Sequence, residues 1–145
     1  MNHEAPAQRL LDTATKRGAS YADVRFEDTH EERIEVRNGV VATLADDRSA
    51  GYGVRALYDG AWGFAAHFDR SETALDATAA RAVAIAKAGA AIAKHRFGAA
   101  PPHAYQASYA TPMQIDPATI PLGDRVGLLL EAERLLHVDD AVRVG

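Results

Sequence analysis

Two dipeptides constrain this chain more than anything else in it: Asn38-Gly39 and Asp59-Gly60, each set between alternating segments. Asn-Gly and Asp-Gly are strong hairpin signals, because both residues of a two-residue type I′ turn need positive φ. A chain holding two of them is directed toward antiparallel strand pairing. From Val24 to Val36 the even positions are Val24, Phe26, Asp28, His30, Glu32, Ile34 and Val36. The odd positions are Arg25, Glu27, Thr29, Glu31, Arg33, Glu35 and Arg37. Period two with one charged face predicts a half-buried strand. The polar middle of the inner face, Asp28 to Glu32, predicts a bend or a run beyond its cover. Val40 to Ala45 is the return strand. A strict two-residue loop sets Val36 opposite Val41 and Ile34 opposite Thr43, and leaves Val40 and Leu44 on the charged face. A one-residue bulge repairs that pattern, and both registers remain open.

The second hairpin joins Gly51–Tyr58 to Ala61–Phe68. Its turn pairs Leu57 with Trp62 and Arg55 with Phe64 on one face. Tyr52, Val54, Ala56 and Tyr58 share the other face with Ala61, Gly63 and Ala65. Neither face is strongly polar, so this hairpin is expected to be central in a sheet and at least partly covered on both sides.

Helices flank the strands. Leu10, Leu11 and Ala14 mark a short helix over Ala5 to Lys16, ended at Arg17-Gly18. Asp69 and Ser71 are candidate caps of a longer one reaching about Arg96. Its apolar stripe is Leu75, Ala79, Ala82, Val83, Ala86, Ala90, Ala93 and Phe97. Alanine supplies 31 of 145 residues, and an alanine stripe lets a helix lie close to a sheet. Ala99 to Pro121 is proline-rich, with Tyr105, Tyr109, Met113 and Ile115 as apolar anchors, and is expected to be a strap laid on something. Pro121 suits the first position of a last helix carrying Leu122, Val126, Leu129, Leu130 and Leu136. Residues 1–98 are thus expected to form the core domain, 99–120 a strap, and 121–145 a helix that begins or docks to a further half.

At 15.5 kDa the chain has room for one domain of ordinary size. It contains no cysteine, which excludes disulfides, a thiol nucleophile, and zinc-finger or iron–sulfur ligation by this chain alone. A net charge of −4 argues against a duplex-binding surface, so no nucleic-acid partner is expected. Met1 to Leu10 lacks signal-peptide character, and Ala82 to Ala93 is too short to span a bilayer. No membrane partner and a cytoplasmic location are the expectations.

Few residues invite chemistry. His30-Glu31 lacks the histidine four residues on that a zincin helix needs; Ile34 stands there, in a period-two segment. Of His3, His67, His95, His103 and His137, no pair has helical ligand spacing. His67 is expected opposite Tyr52 as a satisfied structural histidine. Asp46-Asp47 and Asp139-Asp140 lie in polar segments suited to solvated turns. Ser20, Ser49, Ser71 and Ser108 sit in no nucleophile elbow. Gly51-Tyr52-Gly53 is too short for a phosphate loop and better permits a bulge or close backbone approach. Tyr52, Arg55, Tyr58, Trp62 and Phe64 divide between two faces, which disfavours a nucleic-acid stacking platform; a sheet edge accepting a peptide strand is better founded. No catalytic, cofactor-binding or metal residue is assigned.

Three segments carry a family resemblance: Gly18-Ala-Ser-Tyr-Ala-Asp-Val-Arg-Phe-Glu27; Glu32-Arg-Ile-Glu-Val-Arg-Asn-Gly-Val-Val41 with Gly51-Tyr-Gly-Val-Arg-Ala-Leu-Tyr-Asp-Gly-Ala-Trp-Gly-Phe-Ala65; and Thr111-Pro-Met-Gln-Ile-Asp-Pro117 with Ile120 to Glu131. Together they resemble the N-terminal part of the TldD/PmbA metallopeptidase-like family, also described as modulators of DNA gyrase. The resemblance implies an α/β domain of α+β type, a curved, mainly antiparallel sheet built from hairpins with helices packed against it. It further implies a homodimer, or a heterodimer with a related full-length subunit, cleaving small or unfolded peptides with zinc. The family's catalytic motif, His-Glu-x-x-x-His completed by a later cysteine, belongs to its C-terminal half. Here Glu35 stands five residues after His30 and Gln8 five after His3, so no catalytic residue carries over. The expected role is a non-catalytic N-terminal domain that contributes to a peptide channel and to subunit contacts. The alternative is a free-standing protein- or peptide-interaction module using a sheet edge.

Overall fold

The computed structural model describes residues 3–99 and 106–137. Helix α1 (Glu4–Lys16) leads into strands β1 (Tyr21–Arg37), β2 (Val40–Tyr58) and β3 (Ala61–His67). Helix α2 (Glu72–Ile92), a 3-10 turn (Pro117–Thr119) and helix α3 (Leu122–Leu136) follow. The strands form one sheet in the order β1-β2-β3. The chain divides into two compact units: residues 1–29 with 49–103, and residues 30–48 with 104–145.

In the first unit both helices contribute to a core on one face of the sheet. Leu10 and Ala14 of α1 meet Leu75, Ala79, Ala82 and Val83 of α2 over Tyr52, Val54, Ala56 and Ala65. Ala22, Val24 and Phe26 of β1 pack at its margin. Residues four apart on α1 share one helical face, so Leu10 and Ala14 both point inward. Gly18 ends that helix at φ +97°, with the Ala19 N–H closing on the Ala14 carbonyl at 3.1 Å. Ser71 is the N-cap of α2, its Oγ accepting from the Ala74 N–H at 3.4 Å. The Asp69 carboxylate in turn accepts from the Ser71 N–H and Oγ.

The alanine stripe of α2 is buried as its spacing predicts, through Leu75, Ala79, Ala82, Val83, Ala86 and Ala90. The helix nevertheless stops at Ile92, short of Arg96, with Ala93 extended. The residues beyond it are engaged elsewhere. The Phe97 N–H donates to the Gly60 carbonyl at 2.8 Å, and Arg96 pairs with Asp59. Ile92 and Phe97 are accordingly exposed.

Two expectations about the sheet need correction. The curved sheet implied by the resemblance is not found: the three antiparallel strands form an open sheet that is neither curled nor closed. Closing a sheet needs more strands, with tilt and stagger that bring its edges together. The second hairpin is also not covered on both sides. Strand β2 is central, but β3 is an edge, and Phe64 is 58% exposed on the face away from α1 and α2.

Both turns form as their dipeptides require, with φ of 51° and 74° at Asn38 and Gly39 and of 43° and 76° at Asp59 and Gly60. The β2–β3 register is the expected one, with Leu57 opposite Trp62 and Arg55 opposite Phe64. Along β1 and β2 a strict two-residue loop would set Glu35 opposite Ala42 and Asp23 opposite Val54. Instead Glu35 accepts from the Thr43 hydroxyl and Asp23 from Arg55, each one residue further on. Phe26 likewise meets Tyr52, with ring centroids 5.8 Å apart. These same-face contacts favour the one-residue bulge.

In the second unit α3 packs at the tip of the β1–β2 hairpin. Glu133 accepts from the Gly39 N–H at 2.7 Å, and Arg125 pairs with Glu32. Pro121 is the N-cap of α3, one position before the expected one. Tyr109, Met113 and Ile115 are exposed, so these residues do not anchor a strap within this chain. Tyr105, Pro101 and Pro102 lie outside the described residues.

Candidate functional site: the open face of the sheet

Alternation along the strands sends Tyr52, Val54, Ala56 and Ala65 toward the helices. It leaves their neighbours on the other face. There Asp23, Arg25 and Glu27 of β1 stand beside Gly51, Gly53 and Arg55 of β2 and Phe64 and Ala66 of β3. With Phe68 they line an open groove of about 590 Å³, within the first unit. That volume lies in the range of small-ligand sites, about 300–1,000 Å³.

The floor of the groove is shaped by glycine. Gly53 faces Ala66 across the ladder, and the Phe64 ring lies where a Cβ on Gly53 would project, with Cε2 2.7 Å from that position. A side chain there would push the ring away. Gly51 approaches the His67 carbonyl, which would lie 3.2 Å from an added Cβ. Each glycine thus permits a close approach that a side chain would prevent, by the Phe64 ring at Gly53 and by the His67 carbonyl at Gly51.

Charges on this face pair locally. Arg55 donates to Asp23 through Nε at 3.0 Å and Nη2 at 2.7 Å, and these hydrogen bonds raise its guanidinium pKa above the ordinary value. The same guanidinium sits 5.2 Å from the centroid of the Trp62 ring, against which Tyr21 packs edge-on. Arg25 and Glu27 approach to 3.7 Å.

The other sequence candidates are dispersed. His30 pairs with Asp46 at 2.9 Å on the exposed hairpin of the second unit. His67 stands opposite Tyr52 and accepts from the Asp69 N–H at 2.9 Å, so it is satisfied as expected, although exposed. Ser20 donates to the Leu57 carbonyl, Ser71 caps α2, and Ser49 lies at the groove. Ser108, His95 and His137 are exposed, while His3 stacks on Phe26. His103, Asp139 and Asp140 lie outside the described residues. Tyr52 turns inward to the Asp69 carbonyl and Thr78, and Tyr58 lies under Lys87, away from Trp62 and Phe64.

Among the described residues no three His, Asp or Glu side chains gather as a metal ion would require, and the sequence offers no thiolate. The residues present do not fit the zinc that the family resemblance implies. No helix among the described residues is long and apolar enough to cross a membrane. The groove itself was missed in the sequence. Its signal was the glycine pair at alternate positions, Gly51 and Gly53, with an aromatic residue on the partner strand.

Comparison with known proteins follows this geometry. Residues 22–86 match the family model of PmbA/TldA metallopeptidase domain 1. No curated protein matches the chain. A solved structure from Bacteroides thetaiotaomicron, described as a candidate modulator of DNA gyrase, superposes with a TM-score of 0.66 at 20% identity. The likeness covers 94% of this chain and 31% of that one, so this chain spans under a third of that protein's length. At such identity it is the fold that is shared. The chain therefore matches the N-terminal PmbA/TldD metallopeptidase domain region and shares its fold with a protein described as a candidate gyrase modulator.

Proposed function

We infer that this chain serves as the non-catalytic N-terminal domain of a TldD/PmbA-like zinc peptidase. It would contribute to a substrate-peptide channel and to subunit contacts for cleavage of small or unfolded peptides in the cytoplasm. The observation that carries this reading is the match of residues 22–86 to the first metallopeptidase domain. The open groove supports it, because α1 and α2 pack on the other face of the sheet and leave this one able to receive an extended peptide. So do the leucines of α3: Leu128 is 71% exposed, and Leu135 and Leu136 are exposed too. A free-standing module would cover such residues, whereas a subunit or a further half could dock on them. The division into a core over residues 1–98, a strap and a docking helix from 121 belongs to the same proposal.

The test is association. The chain is mixed with a full-length TldD/PmbA-type subunit, and co-elution is read together with degradation of an unfolded casein. Co-elution with altered casein turnover is expected. Failure to associate overturns the subunit role.

One observation favours the alternative of a peptide-interaction module. Strand β3 is a sheet edge, and edge main chain can pair with an added strand. Monodisperse behaviour, with peptide binding and no association with such a subunit, would select it.

A further inference from the structure

We propose that the open sheet face binds an extended peptide segment with uncharged aliphatic or aromatic side chains, lying in the groove against Phe64 and Phe68. This deepens the peptide-channel reading and rests on it.

Three features select that occupant. The groove's charges compensate one another, Asp23 with Arg55 and Arg25 with Glu27. A charged side chain entering it would meet no unmatched partner and would lose hydration in return. Phe64 and Phe68 are 58% and 76% exposed and offer apolar area to an incoming side chain. Gly51 and Gly53 add no side chains to the floor, and the space above Gly53 is taken by the Phe64 ring, which presents its apolar area to the groove. Phe64 is more than half exposed, so its ring can turn toward solvent to admit a side chain. The exposed rings and the balanced charge together favour contact with apolar side chains over recognition of a phosphate or an acidic segment.

The experiment uses fluorescein-labelled heptapeptides, acetylated and amidated, read by anisotropy. One contains only Gly, Ser, Val, Leu and Phe, and two relatives carry Glu or Lys at alternate positions. The neutral peptide is expected to bind about tenfold or more tightly than either charged one, with little dependence on salt. The exposed-residue double variant Phe64→Ser/Phe68→Ser should weaken it by about tenfold, the loss of roughly one partly buried ring. Ala66→Glu, an exposed position facing Gly53, should abolish neutral-peptide binding and admit the lysine peptide. Unchanged urea midpoints establish that these variants fold.

No binding of the neutral peptide, equal binding of all three, or indifference to both variants would overturn the proposal. So would a dimer of this chain that dissolves in the double variant, because a second copy would then occupy the face. Association with the full-length subunit is measured separately. If it persists while neutral peptides fail to bind, only this inference falls. If association fails while the groove binds as expected, the subunit role falls instead.

Discussion

Gly63 lies so close beneath α2 that a Cβ placed on it would fall 2.1 Å from the Ala82 carbonyl oxygen and 2.4 Å from the Ala86 nitrogen. Both obstacles are helix backbone, which cannot swing aside. Gly63→Ala is therefore expected to lift α2 from β3 and cost about 3 kcal/mol or more, at the upper end for overpacking. Gly53→Ala comes tightly only on the tip of the Phe64 ring, with the Ala65 carbonyl at an ordinary 4.0 Å; the ring can move, and the cost should be less than about 1 kcal/mol. Urea denaturation of the two variants checks the contrast. Equal midpoints would show that α2 is not seated on Gly63.

The ion pair between α1 and α2 should appear as acid sensitivity. Arg9 donates to Asp76 through Nε at 3.0 Å and Nη2 at 2.7 Å, and Thr13 adds a third bond at 3.0 Å. Arg9 above all, then Thr13, hold the Asp76 carboxyl below its ordinary range. A carboxyl lowered on folding stabilises the folded state above its unfolded pKa, and that stability is lost as pH falls through the folded value. Stability of the wild type should thus fall more steeply on acidification than that of Asp76→Asn. The pair is partly exposed, so solvent and salt reduce the difference. Parallel pH profiles from urea unfolding would contradict the assignment.

Glu133 should control the hairpin tip. It is 5% exposed. Its Oε2 accepts from the Gly39 N–H, while Oε1 has no hydrogen-bond partner among the described residues. Glu133→Ala removes the acceptor and should cost about 1–3 kcal/mol within the second unit. The Gly39 amide should then exchange faster with solvent while β3 amides keep their protection. Glu133→Gln, which can still accept, should retain most of that protection. Hydrogen exchange followed by NMR distinguishes the two.

Metal analysis bears on the proposed division of labour. The isolated chain is expected to hold substoichiometric zinc and to leave unfolded casein intact. Stoichiometric zinc with chelator-sensitive cleavage would sink the non-catalytic reading.

What was legible in the sequence was what depends on local geometry. Asn38-Gly39 and Asp59-Gly60 set their turns because few other residues accept positive φ. Leu75 to Ala90 set the buried stripe of α2 because helical period depends on spacing alone. Less legible was where α2 ends: Arg96 and Phe97 leave the helix to hold the Asp59-Gly60 turn, a contact between segments remote in the chain. The groove was hidden for a similar reason. Tyr52 and Trp62 look equally apolar in sequence, and only packing sends one under α2 and leaves the other beside Arg55.

By itself, then, the sequence determined two tight turns, an alternating ladder, an alanine-faced helix and a chain without thiolate ligands. Each follows from local conformational preference, residue spacing or composition. Tertiary structure alone decided which sheet face the helices cover, that β3 forms an edge, and that Gly53 and Phe64 make the floor of a groove. Those outcomes depend on which surfaces meet across long stretches of chain. A periodic pattern shows that a strand has two faces, and packing chooses which one remains open.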